Sequence, residues 1–143
     1  MYKTILVPVD LARPEKGKPM IEIARRIGGK DARIVLVNVV EDVPTYVVAE
    51  LEQLGGYLEG GYMKNAREKA DEELTAIAKA AGIKPDYEVR SGKVPHAILD
   101  VAEKQEADLI IIGSHKPALQ DYLLSSTASR VVRHATCSVL VMR

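Results

Sequence analysis

Leu109-Ile110-Ile111-Ile112-Gly113-Ser114 sets four apolar residues on consecutive positions and then stops on glycine and serine. A strand with one wet face alternates apolar and polar residues. A run that is apolar on both parities is buried on both faces, as in a parallel sheet covered by helices. Three more runs have the same character: Ile5 to Val9, Ile34 to Val37 extended to Val40, and Val139 to Met142. A fifth candidate, Asp86 to Arg90, mixes Tyr87 and Val89 with charge and is expected at a sheet edge.

Between these runs the period becomes helical. Met20, Ile23, Ala24 and Ile27 fall on one face and end at the stop signal Gly28-Gly29. Ala66, Ala70, Leu74, Ile77, Ala78 and Ala81 mark the longest helix, for which Gly82 supplies the residue just past the C-terminus. Pro95 suits the first helical position of a third helix, with Val94, Ala97, Ile98, Val101 and Ala102 facing inward. Leu124, Thr127, Ala128, Val131 and Ala135 mark a fourth, with His134 near its C-terminus. Strand and helix in alternation mean right-handed crossovers, so the expected architecture is one doubly wound α/β domain with helices on both faces of a parallel sheet. The stretch from Glu41 to Gly61, with a short amphipathic helix expected around Val47 to Leu54, is too long for a tight connection. It reads either as a functional lid or partner-facing excursion, or as an insertion without a role.

Composition agrees with a single domain of 143 residues. Trp and Phe are absent and six Tyr are the only aromatics, so aliphatic residues must fill the core. Twenty basic against twenty acidic side chains leave no net charge, which removes the electrostatic footprint of a nucleic-acid or anionic-membrane partner. The single Cys137 excludes an intramolecular disulfide framework and reads as a small buried hydrophobe. No apolar run approaches the ~18 residues of a membrane span, and the N-terminus lacks a signal-peptide layout. The expectation is a reduced, cytoplasmic, soluble protein.

In an open parallel sheet ligands sit beyond the C-terminal strand ends, where the strand order reverses. The residues there are Asp10, Val39 to Glu41, Ser91-Gly92 and Gly113-Ser114-His115. Asp10 could accept hydrogen bonds from a ribose, or cap the next turn. Ser125-Ser126-Thr127 opens the last helix, where free N–H groups and the positive dipole end suit phosphate oxygens. The alternative is that Ser125 or Ser126 simply caps that helix. Catalytic patterns are thin. Ser114, His115 and Asp10 supply the residue types of a hydrolytic triad, but no G-x-S-x-G elbow exists. No P-loop pattern occurs, and His96, His115 and His134 lack metal-ligand spacing with each other or with Cys137.

Four stretches together, Lys3 to Asp10, Val37-Asn38-Val39-Val40, Ala107 to His115 and Val131 to Val141, make the chain resemble the universal stress protein family, UspA-like, over essentially its whole length. That resemblance implies a five-stranded parallel sheet of the adenine nucleotide alpha hydrolase-like kind, in a homodimer formed through the last strand, Ser138 to Met142. It also implies ATP with Mg²⁺ as ligand: adenine against the backbone near the end of the second strand, ribose near the first-strand Asp, phosphates on a glycine-rich loop. Asp10, Val39, Gly113, Ser114 and Ser126 inherit these roles, with Pro8, Val9, His115, Lys116, Ser125 and Thr127 beside them. The loop departs from the family pattern, since Lys116 and Ser125 stand where it has glycine, and Ala12 replaces a Ser. Glycine would permit positive φ and close phosphate approach, whereas a Cβ at Ser125 raises the cost of that conformation. Two main functions follow: a nucleotide-binding stress-response dimer that is not an enzyme, or a dimeric interaction protein whose altered loop holds no nucleotide. A third reading is residual ATP hydrolysis or autophosphorylation on a loop Ser, for which no general base or Mg²⁺ carboxylate pair is identifiable.

Overall fold

Ile5, Leu6 and Val7 are fully shielded from solvent on both sides of their strand, and the strands beside them repeat the pattern. The computed structural model describes residues 1–40, 44–54, 61–114 and 125–143. Among these, five strands form a single parallel sheet: β1 (Thr4–Pro8), β2 (Arg33–Val40), β3 (Tyr87–Ser91), β4 (Leu109–Gly113) and β5 (Ser138–Met142), in the spatial order β3-β2-β1-β4-β5. Ile5 pairs with Ile34 on one side and with Leu109 on the other. The order therefore reverses between β1 and β4, the crevice where such folds bind ligands.

Among the described residues five α-helices accompany the sheet: α1 (Gly17–Gly28), α2 (Thr45–Leu54), α3 (Gly61–Ala80), α4 (Val94–Lys104) and α5 (Ser126–His134). Residues of odd parity on β1, such as Ile5 and Val7, pack with Leu36 and Ile111 against Met20, Ile21 and Ala24 of α1 and Leu74 and Ala78 of α3. Leu6 joins Val35, Val37, Ile110 and Ile112 on the other face, against Ile98 and Val101 of α4 and Ala128 and Val131 of α5. This two-sided burial is what the unbroken apolar runs require.

Several expectations shift in detail. The edge strand is Tyr87–Ser91, one residue later than its sequence reading, because its register is set by pairing with Leu36 to Val40 of β2. Pro95 takes the second helical position, since Lys93 is the N-cap of α4. The long helix begins at Gly61 instead of near Ala66, and α2 occupies much of the 41–61 stretch and lies against α3. Cys137 is half-buried, packed at the margin of the second core cluster. Leu124 lies outside the described residues.

Helix ends explain two unusual backbone positions. At the end of α3 the Gly82 N–H bonds to Lys79 O and the Ile83 N–H to Ala78 O, with Gly82 at φ +70°. The end of α4 repeats this pair of bonds, Glu106 to Glu103 and Ala107 to Ala102, but puts Glu106 at φ +53°. A residue with a Cβ bears a cost in that conformation. The start of the sheet is pinned by Asp108, whose carboxylate accepts the Lys3 N–H at 2.8 Å and the Thr4 N–H at 3.0 Å. Burial pushes this carboxyl up, but the backbone donors of Lys3, Thr4 and Asp108 itself, with the N-terminal charge, together outweigh it and hold the group below the usual carboxylate range.

The two sheet edges differ. On β3, Glu88 gathers Arg90 at 3.3 Å, Lys104 at 3.7 Å and Gln105, while Arg90 also reaches Asp100 at 3.0 Å. Such charge blunts an edge against further pairing. On β5, Val139, Leu140, Val141 and Met142 are all partly exposed.

Candidate functional site

The β1–β4 switch point opens into a cavity of about 810 Å³ at the carboxyl ends of the strands. Pro8, Val9, Asp10, Val39, Gly113, Ser114, Ser125, Ser126 and Thr127, all singled out from sequence, line it together. They come from four separate places in the chain, brought together because β1, β2 and β4 end side by side and α5 starts above them. His115 and Lys116, the other two residues assigned to this site, lie outside the described residues.

Asp10 performs the capping role that was one of its two readings. Its Oδ1 accepts the Ala12 N–H at 2.9 Å, and its carbonyl accepts the Arg13 N–H at 3.0 Å, which folds the chain into the short 3₁₀ turn Pro14–Lys16. Oδ2 takes no hydrogen bond among the described residues, so the exposed carboxylate retains an acceptor at the cavity. Capping and ligand contact are compatible, because a carboxylate has acceptor capacity for both.

Ser125 is the N-cap of α5. Its Oγ accepts the Ala128 N–H at 3.1 Å, and its own N–H points to Ser114 Oγ at 3.4 Å. Its backbone sits at φ −60°, ψ 160°, an ordinary extended conformation. The expectation that a Cβ here raises conformational cost is thus corrected, because nothing at this position needs positive φ. The cap satisfies Ala128 and leaves Ser126 and Thr127, the first two residues of α5, with N–H groups that have no intrahelical acceptor. Such donors, with the positive end of the helix dipole, suit an anion at the cavity rim.

Gly113 likewise owes nothing to backbone strain. A Cβ built on it would meet only Met20 Sδ, at 3.6 Å, which is ordinary contact. What its missing side chain provides is room beside Met20 in the cavity wall.

Sequence reading did not assign to the site four polar side chains of the described lining. Arg13 and Lys16 come from the turn after β1, and Arg143 from the chain end after β5. They set three basic side chains against Asp10, the only Asp or Glu of the described lining. The fourth is Asn38, the one buried polar side chain among the described residues. Its Nδ2 donates to Val9 O at 2.9 Å, and the Val9 N–H donates to Val37 O at 2.8 Å, so the ends of β1 and β2 are clamped together. The signal was present as the single polar residue in the Ile34 to Val40 run.

A larger hollow of about 960 Å³ lies at the opposite pole, between the C-terminal ends of α1 and α3. Helix carbonyl ends disfavour anions. Two of its cations are engaged structurally: Arg25 donates to Ala81 O at 3.0 Å, and Arg33 forms a two-pronged pair with Asp86. That hydrogen-bonded pair raises the Arg33 pKa further. Burial, followed by the nearby Asp108 charge, pushes the Cys137 thiol up. Among the described residues no group of three His, Cys, Asp or Glu side chains could hold a metal, and no helix is long and apolar enough to cross a membrane.

The chain is similar in sequence to universal stress protein G of Salmonella typhimurium, 32% identical with both chains covered in full. It is 33% identical to universal stress protein A homolog 2 of Coxiella burnetii, over 99% of this chain and 95% of that one. Among solved structures, universal stress protein UspA from Lactobacillus plantarum superposes with a TM-score of 0.68 at 28% identity, covering 99% of this chain and 98% of that one. A universal stress protein solved in complex with cAMP has the same fold, with a TM-score of 0.62 at 19% identity, over 99% of this chain and 97% of that one. The model of the universal stress protein family matches residues 1–143, and with the five-stranded sheet and its switch-point cavity in place, the chain belongs to that family.

Proposed function

We propose that this chain is a nucleotide-binding module that takes up ATP, with Mg²⁺ on its phosphates, or a related adenine nucleotide, in the cavity at the carboxyl ends of β1, β2 and β4. One observation carries the reading: an acceptor carboxylate at Asp10, the backbone end of β2 at Val39, and the open N–H groups of Ser126 and Thr127 line a single cavity of about 810 Å³. A ribose, a base edge and a phosphate chain need those three kinds of partner, and the volume is of nucleotide size. The basic lining of Arg13, Lys16 and Arg143 favours the phosphate end. The cAMP complex of a protein with this fold supports an adenine nucleotide as the ligand class. The chain acts as a binding protein rather than an enzyme, in a homodimer paired through β5, whose apolar edge lacks the charges that guard β3.

The test is isothermal titration of MgATP into protein unfolded, stripped of carried-over nucleotide and refolded, beside Asp10→Ala. The expected result is saturation near one site per chain, weakened by about 1–3 kcal/mol in the variant as a ligand contact to a charged acceptor is lost. An undiminished affinity in Asp10→Ala removes that residue from the site. Absence of heat from a folded wild type replaces this reading with the dimeric interaction protein.

A further inference from the structure

Asn38 is 8% exposed, and its amide orientation is fixed by its partner. Nδ2 donates to Val9 O; the flipped amide would set two acceptors against each other. Oδ1 therefore points away from Val9, and it takes no hydrogen bond among the described residues. No described buried side-chain oxygen or nitrogen is both sealed from solvent and without a partner, so Oδ1 keeps access to solvent. Asn38 lines the switch-point cavity, which gives that access its direction. A ligand that fills the cavity closes that access, and an acceptor then left without a partner is costly, so Oδ1 calls for a donor from the ligand itself.

We infer that Asn38 Oδ1 accepts a hydrogen bond from a donor on the bound ligand, an exocyclic amine or a sugar hydroxyl, and thereby sets which nucleotides this cavity accepts. The inference rests on the nucleotide reading of the site. It assigns specificity to a side chain of β2 in addition to the strand's backbone. A carboxamide paired with an amino group is also how Asn recognises adenine in duplex DNA, so the amine is chemically a good partner. A site built to pair with a donor discriminates against analogues lacking it, because the acceptor is then left buried and alone.

The experiment compares ATP, ITP (an oxo group in place of the 6-amino group) and 2′,3′-dideoxy-ATP, each titrated into stripped wild type and into Asn38→Leu, with thermal melting confirming that both are folded. One neutral hydrogen bond corresponds to about fivefold in affinity. The wild type is expected to bind ATP at least about fivefold more tightly than the analogue lacking the partner group, and the analogue whose disadvantage shrinks in Asn38→Leu identifies that group: ITP the amine, the dideoxy compound the sugar. In Asn38→Leu that ratio falls about fivefold from its wild-type value, with any share owed to Asp10 or the Val39 backbone remaining, whereas a merely structural role for Asn38 would weaken all three ligands alike and leave the ratio intact. A ratio unchanged by the substitution, or a wild type that binds all three equally, overturns the inference and leaves the nucleotide reading standing. A folded wild type that binds none of them overturns both. Should Asn38→Leu fail to fold, Asn38→Thr, a strand-compatible residue too short to present the same oxygen, reads the same ratio.

Discussion

Replacing Ser125 by alanine and by glycine separates a capping hydroxyl from a strained phosphate loop. In the structure the Ser125 Oγ accepts the Ala128 N–H at 3.1 Å from an extended backbone at φ −60°. Alanine removes the acceptor and leaves the backbone unaltered, at a cost of about 1 kcal/mol; glycine at an N-cap costs only a few tenths. For a 143-residue chain the entropy of unfolding is about 0.3 kcal/mol/K, so the alanine variant should melt about 3 °C lower at equal protein concentration and glycine less than 1 °C lower. Urea melts followed by circular dichroism supply the corresponding free energies, with unchanged m-values expected. Because no positive φ exists at this position, Ser125→Gly should not tighten MgATP binding through release of strain. Equal stability of alanine variant and wild type would refute the cap. A gain in nucleotide affinity of tenfold or more in the glycine variant would refute the unstrained backbone.

Asp108→Ala should lose about 1–2 kcal/mol at neutral pH, since the carboxylate accepts two backbone N–H groups at the start of β1. Its folded pKa lies below the unfolded one, so its contribution is present above about pH 4 and is lost as pH falls through the lower folded value; urea midpoints from pH 6 to pH 3 should therefore converge for variant and wild type. Glu106→Gly should raise stability by about 0.5–1 kcal/mol, read in the same melts, because relief of the left-handed conformation at φ +53° exceeds the extra entropy of glycine. Met142 O accepts the Ser114 N–H at 2.7 Å and so faces β4, which by strand alternation turns the Val141 N–H to the open edge. Val141→Pro should accordingly spare the fold and convert the proposed dimer to monomer in sedimentation velocity; an unchanged dimer would place the interface elsewhere.

The fold was legible because its signals are redundant. Ile5 to Val9 and Leu109 to Ile112 are apolar on both parities, and the helices between them carry their own stop residues, as Gly82 does for α3. Element ends were less legible: the start of α3 at Gly61 has no capping pattern in the sequence, and the one-residue shift of β3 is decided by its partner strand. Positions at the strand ends followed from topology, so Asp10, Val39, Gly113 and Ser114 could be named in advance. Their division of labour could not. The Ser125 φ is a tertiary outcome, and the choice between capping and phosphate contact depends on where its oxygen points. Arg13, Lys16 and Arg143 looked like ordinary surface charge, since only the folded chain brings the turn after β1 and the end of β5 to one cavity. Asn38 was visible as an interruption in an apolar run, but its partner Val9 is 29 residues away and exists only once β1 and β2 pair.

The location of the ligand tests the central claim most directly, because the two hollows described lie at opposite poles of the sheet. Titration of MgATP into ¹⁵N-labelled, nucleotide-free protein, followed by amide chemical shifts, distinguishes them. The account predicts saturable shifts at Asp10, Asn38, Val39, Gly113, Ser126 and Thr127, with Arg26, Gly29, Gly82 and Lys84 unmoved. Shifts confined to the second group, or no shifts at millimolar nucleotide, would contradict it.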